Sequence, residues 1–452
     1  MQETTTQNKM GYMPCGKLVL SMSLPMMLSM LFQALYNIVD SVFVARINES
    51  ALTAVSLAFP VQTLIIAVVG GTAVGVNARL SAKLGEHNFE EVNYTAGNAI
   101  TINFVYAVIM VLIAGFGSSL YFNMMTPDAD IREYGTDYLF VVLSLSPALT
   151  FQMLLERLLQ STGKTVYSMI SQIVGAVINI IMDPILIFGL CGLPAMGTKG
   201  AALATVFGQS IACCIGLFCN LKLNKEIRFA RKYLVPHRAT ISNIFAVGIP
   251  SIVMQSIASV MNLGMNRILL SFSSTAAAVF GVYYKLQSFI FLPVFGLNNG
   301  LVPIIAYNFG AKKPDRIKDT LKHGAMYAVA IMLFGLFMFE VFPAQLLQIF
   351  DASDNMLSIG TVALRAIAIH FVLAGFSIVF MSAFQALGHG VLSMWVSLVR
   401  QLVVLLPCAY ILAGTVGLNG VWFAFPIAET VSLSLSAFFM KKYVKRQLDA
   451  LG

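Results

Sequence analysis

The sequence predicts an all-α polytopic membrane protein, with 12 transmembrane helices in two six-helix lobes. Three observations carry this. The 452 residues are 58% hydrophobic and 11% charged, with a mean hydropathy of +0.82; soluble domains run near about 25% charged. Apolar runs of about 20 residues, the length that crosses hydrocarbon, recur along the chain. They are too long for barrel strands and lack strict alternation, so they read as helices. Finally, the chain repeats itself at one fixed offset.

In order, the spans fall at 18–45, 52–78, 94–116, 134–155, 166–189 and 196–219, then 244–270, 276–307, 324–341, 361–384, 391–412 and 420–440. The resulting organisation is a tail at 1–17, a first lobe at 18–221, a basic linker at 222–242, a second lobe at 243–440 and a basic tail at 441–452. The first 17 residues are polar, and no cleavable leader is expected.

The net charge of +8 lies in the connections, which reads as orientation and not as a nucleic-acid surface. The linker carries Lys222, Lys225, Arg228, Arg231, Lys232 and Arg238. The connection after span 8 carries Lys312, Lys313, Arg316, Lys318 and Lys322. Acids such as Asp128, Asp130, Glu133, Asp351 and Asp354 collect on the other side. Both termini and the linker are therefore expected in the cytoplasm.

At an offset of 225, Pro25 matches Pro250, Asn37 matches Asn262 and Gln62 matches Gln287. The same offset joins Gly71 to Gly296, Gly75 to Gly300, Gly85 to Gly310, Gln160 to Gln385 and Gly163 to Gly388. Gly197 and Gly200 meet Gly417 and Gly420 at 220. Six spans per half make both halves start on one side. The expectation is a parallel repeat about an axis along the membrane normal, with a substrate cavity between the halves.

Ionisable residues inside spans are functional candidates. Seven lie well away from the linker side: Asp40, Asp183, Arg267, Lys285, Arg365, Arg400 and Glu429. Spans 1 and 5 run in the same direction, and Asp40 and Asp183 stand near the far end of each, at similar depth. Asn37 and Asn179 share their helix faces, three and four residues earlier. Two acids and two amides at one depth form a proton or cation site. Two carboxylates taken out of water together resist both being charged, the condition for an exchangeable proton. The competing reading is that Asp40 rests at the interface and each acid is satisfied by a neighbouring helix.

Lys285, Arg400 and Glu429 fall near the midplane, and Glu429 is expected to pair with Lys285 or Arg400. A fixed ion pair and a coupling role both remain open there. Pro25 removes a helical hydrogen bond in the long span 1 and marks an expected bend or hinge. Gln33, Tyr36, Gln62, Gln255, Met261 and Gln287 are candidate cavity residues, with Met side chains offering an adaptable surface.

Enzyme chemistry finds no support. No P-loop, H-E-x-x-H or G-x-S-x-G stands in a credible context, and the six cysteines form no C-x-x-C pair. No cofactor or resident metal is expected.

The stretches LPMMLSMLFQALYNIVDSVFVAR, NARLSAKLGE, QSTGKTVYSMISQIVGAVINIIMDPILIFG and MGTKGAALAT, with IPSIVMQ and NNGLVPIIAYNFGAKK in the second half, resemble the multidrug and toxic compound extrusion (MATE) family. The branch they resemble is the DinF/MepA-like bacterial one. The resemblance implies a V-shaped, two-lobed exporter in the bacterial cytoplasmic membrane that exchanges H+ or Na+ for organic cations. By motif, Asp40, Asn179 and Asp183 match the family's first-lobe coupling site, Thr205 joins it, and Pro25 matches the proline where span 1 bends. The chain departs from the NorM-like branch, whose second lobe holds acids in spans 7 and 10; span 7 here has Gln255.

The expected function is therefore a cation-coupled antiporter, with H+ favoured over Na+. It would export small organic, mostly cationic substrates by alternating access, as a monomer among membrane lipids, without nucleic acid. The alternative is a flippase of a lipid-linked saccharide or other polyanion, which Lys285, Arg267 and Arg400 keep open.

Overall fold

In hydrocarbon a backbone N–H or C=O finds no water, so each apolar run must bond within itself as a helix. The computed structural model describes residues 8–451. Among these, ten helices are long and apolar enough to cross a membrane, and two bent pairs bring the number to 12 if each pair is one span. The chain is thus an integral, multi-pass membrane protein. The helices overrun the apolar runs: span 1 is Cys15–Ala45, span 2 Glu49–Gly85 and span 3 Phe89–Met125. Span 4 is the pair Ala129–Ser144 and Ser146–Ser161, bent by 47°. Spans 5 and 6 are Thr165–Phe188 and Gly197–Lys222. The second half repeats the order with Arg238–Leu270, Ser274–Gly310 and Pro314–Val341. Then come the pair Asp354–Ala368 and Phe371–Ala386, bent by 45°, and spans 11 and 12.

The repeat extends to geometry where residue types differ. Asn48 and Ser273, 225 apart, each cap the next helix by accepting from the amide three residues on, Ala51 and Ala276. Asp128 and Ser353 do the same before spans 4 and 10. His87 and Lys312 both adopt left-handed backbone, φ 57° and 54°, as do Gly163 and Gly388, φ 86° and 82°. The bends of spans 4 and 10, at Leu145 and at Ile369–His370, fall at the same offset.

Packing divides the chain into two compact units. One is Leu28–Phe245; the other joins the residues up to Met27 with those from Ala246 onward. The repeat puts all of span 1 with the first half. By packing, its beginning goes with the second, for a visible reason. Ser23 Oγ donates to the carbonyl of Leu297 at 3.3 Å. A Cβ at Gly296 or Gly300 would meet Met27 Cα at 2.6 Å or Ser23 Oγ at 2.3 Å, so only glycine lets the helices approach this closely. Asn308 and Arg316 bind the Met10 carbonyl, and Arg316 also binds that of Met13. Span 1 itself runs through Pro25 as one helix.

In the Leu28–Phe245 unit, spans 5 and 6 pack backbone to backbone. A Cβ at Gly208 would lie 2.5 Å from the Gly175 carbonyl oxygen and 3.1 Å from Asn179 Cβ. Ser171 Oγ donates to the Ala212 carbonyl at 2.7 Å. This close seam fixes the register of Asn179 against Thr205.

The linker also belongs to this unit. Asn93 Oδ1 accepts from the Arg228 amide and Asn98 Oδ1 from the His237 amide, both at 2.7 Å. Thr101 Oγ1 donates to the Leu234 carbonyl at 2.7 Å. Gly97 lies so close under the linker that a Cβ there would sit 2.2 Å from the Tyr233 carbonyl oxygen. Lys164 pairs with Glu226. The linker is therefore a strap laid along the start of span 3.

Candidate coupling-ion site

The seam between spans 5 and 6 presents the first group of candidates. Asn179 Nδ2 donates to Asp183 Oδ1 at 3.5 Å and to Thr205 Oγ1 at 3.4 Å. Both bonds are at the long end of the range, so the amide is shared and held tightly by neither. Thr205 Oγ1 in turn donates to the Ala201 carbonyl at 3.1 Å, the usual bond one turn back in a helix. Asp183 is fully buried and Asn179 nearly so. Asp40, half-buried on span 1, lies within electrostatic reach of Asp183.

Among the described residues, three oxygens here are buried without a hydrogen-bond partner: Asp40 Oδ1, Asn179 Oδ1 and Asp183 Oδ2. An unmet acceptor in a buried site is costly. These three belong to residues that the sequence reading groups as a candidate proton or cation site. Among the described residues, no three His, Cys, Asp or Glu side chains converge as a metal-binding group.

Asn37 is exposed, and its backbone carbonyl accepts from Ser41 Oγ at 2.9 Å. Tyr36 is hydrogen-bonded to Gln33 and lies within the field of Asp40 and Asp183. Gln62 Nε2 donates to Tyr138 Oη at 2.8 Å, and Tyr138 also lies within the field of both acids.

The MatE family profile matches residues 25–185 and 250–411, two segments whose starts are 225 apart like the repeat. The chain belongs to the MatE family. Multidrug export protein MepA of Staphylococcus haemolyticus is 29% identical over 427 residues, 94% of this chain and 93% of the relative. MepA of Staphylococcus saprophyticus is 27% identical over 412 residues, 90% of each chain. A multidrug resistance MATE family transporter in an outward-facing conformation shares the fold at TM-score 0.91 and 23% identity, covering 100% of this chain and 99% of that one. A MOP superfamily transporter from Pyrococcus furiosus does so at TM-score 0.89 and 23% identity, covering 100% and 99%. This MatE chain is a transporter and not an enzyme.

In the second unit of the MatE fold, Arg400 Nη1 lies 3.1 Å from Glu429 Oε2. Arg400 stands in a π-helical segment, Val399–Leu405, a local widening that often marks functional sites. Glu429 is buried, and its Oε1 has no partner. Lys285 is elsewhere: it is exposed and stands over the Phe350 ring, 5.8 Å from its centroid. Met261 is buried, Gln287 half-buried and Gln255 exposed.

Two residues of the first unit went unsingled in the sequence. Tyr138 reads as one more aromatic residue in span 4. Glu156 lies one residue beyond the expected end of span 4, but the helix continues to Ser161 and carries it inward. It is buried and accepts from Gln152 Nε2 at 3.0 Å, with Gln172 as a second partner. The signal was present: Gln152, Glu156 and Gln160 recur every four residues on one helix face.

Proposed function

We propose that this MatE transporter exports small organic, mostly cationic compounds in exchange for a coupling cation taken up at Asp40 and Asp183, with H+ favoured over Na+. The observation that carries the reading is the trio of buried, partnerless oxygens on Asp40, Asn179 and Asp183. The staphylococcal relatives, named multidrug export proteins, support the substrate class. Asp40, Asn179, Asp183 and Thr205 offer enough oxygens for sodium. Protons are favoured because the long Asn179 bonds fix no tight coordination shell.

In this reading the linker and both termini face the cytoplasm, and the protein acts as a monomer in a bacterial cytoplasmic membrane. Proton arrival from outside neutralises the pair, and departure toward the cytoplasm recharges it. The change in charge favours one helix arrangement over the other, and Pro25 lets span 1 respond. The flippase alternative needs a cationic cavity, and Glu429 already neutralises Arg400.

The test is efflux of an organic cation from proteoliposomes under an imposed proton or sodium gradient. The parent should pump on the proton gradient. Asp40→Asn and Asp183→Asn should each lose uphill transport while keeping the parent's melting temperature. If both variants pump uphill like the parent, the coupling site lies elsewhere.

A further inference from the structure

Two recesses lie along a single stripe of span 3. The first, about 270 Å³, is lined by Asn93, Gly97 and Ile100 of that helix and by Arg228, Arg231 and Tyr233 of the strap. The second, about 260 Å³, is lined by Phe104, Ala107, Val108 and Val111 of the same helix, with Pro147 and Phe151 of span 4. Positions 93, 97, 100, 104, 107, 108 and 111 follow the three-and-four spacing of one helix face. The upper recess therefore counts two exposed arginines, Arg228 and Arg231, among its lining, and the lower one is lined by apolar side chains alone.

Glu91 is held by Arg79 at 2.7 Å, and Glu226 is paired with Lys164. The apolar part, from Phe104 to Leu112, is about 12 Å long by helical rise. That fits within one leaflet of about 15 Å, half the hydrocarbon core. Phe104 and Leu112 are 60% and 63% exposed, so the groove is open to the surroundings of the helix.

We propose that this stripe is a binding site for one acidic phospholipid of the basic, linker-side leaflet. The headgroup phosphate lies against Arg228 and Arg231, and an acyl chain runs down the groove between spans 3 and 4. Clustered Arg beside a membrane helix recognises anionic headgroups, and the groove adds a demand for a full-length chain. The leaflet assignment rests on the linker facing the cytoplasm. The site itself does not depend on which ion drives transport.

The test uses the full-length protein in detergent and native mass spectrometry, so it reads binding and not transport. The probes are long-chain phosphatidylglycerol, phosphatidylcholine with the same chains, and phosphatidylglycerol with six-carbon chains. Long-chain phosphatidylglycerol should be retained at least about tenfold better than either comparison lipid. Arg228→Gln and Arg231→Gln should each lower its retention about fivefold, and the double variant should lose the preference over phosphatidylcholine. The linker should stay in place in these variants, because Arg228 meets Asn93 through its backbone amide. Val108→Trp, which fills the groove, should lower retention of the long-chain lipid and leave that of the six-carbon one unchanged. Equal retention of the two headgroups, or parental retention by the double variant, overturns the proposal. So does equal retention of the two chain lengths, which would leave only a surface for free anions.

Discussion

Glu429 places one carboxylate oxygen against Arg400 and leaves the other without a partner. Removing one member of such a buried pair strands the other, at a cost of about 3–5 kcal/mol, whereas replacing both with apolar residues is often neutral. Glu429→Leu should therefore melt well below the parent, and Arg400→Leu combined with Glu429→Leu should recover most of the loss, as read by thermal melting in detergent. A double variant that melts lower still would mean that the pair is held by more than mutual neutralisation. Glu156 poses the same kind of question. Glu156→Leu leaves the Gln152 amide without its acceptor, at about 1–3 kcal/mol. Glu156→Gln keeps an acceptor and should melt closer to the parent. At this scale the sequence speaks through depth: it sets Asp40 and Asp183 near corresponding ends of spans running the same way. It failed at Glu156 because hydropathy ends a span where polarity begins, while a buried helix continues until its backbone bonds end.

Spans 5 and 6 owe their closeness to glycine, and a substitution there tests whether the seam positions the site. Gly208→Ala puts a methyl 2.5 Å from the Gly175 carbonyl oxygen, which forces the helices apart. Overpacking of this kind costs about 1–3 kcal/mol. It should also move Thr205 from Asn179, so coupled transport should fall more than ligand-free stability alone explains. Gly115 of span 3 is the control, since a Cβ there meets nothing within 4 Å. Gly115→Ala should be neutral or stabilising by about 0.5–1 kcal/mol, because alanine suits a helix interior better. Element order and span positions were readable from hydropathy alone. The caps were not readable by identity, since Asn48 answers to Ser273 and Asp128 to Ser353. What the two halves share at those points is a hydrogen-bonding job that several side chains can do. The bends were also hidden, because span 4 carries Pro147 just after its bend and span 10 has no proline there. A bend shared at one offset with proline in only one copy is set by packing, and packing has no local signature.

Across the whole chain, the two compact units change over inside helices and not in loops: between Met27 and Leu28 in span 1, and between Phe245 and Ala246 in span 7. Pro25 stands two residues before the first changeover and Pro250 four after the second. Pro25→Ala should fold as the parent does and pump more slowly; a parental rate would show that span 1 needs no soft point. The repeat made the number of lobes legible but misassigned the start of span 1, because a repeat reports ancestry of position, and packing partners are chosen by glycine grooves such as Gly296 and Gly300. The changeovers have a mechanical meaning as well. The chain passes from one unit to the other within two helices, each with a proline within a few residues of the changeover. A nick in the linker would break the covalent chain yet leave the clasp of Ser23 on Leu297 and of Arg316 on Met10 and Met13 closed. Two fragments expressed from separate genes, divided at the linker, would still carry the means to find each other.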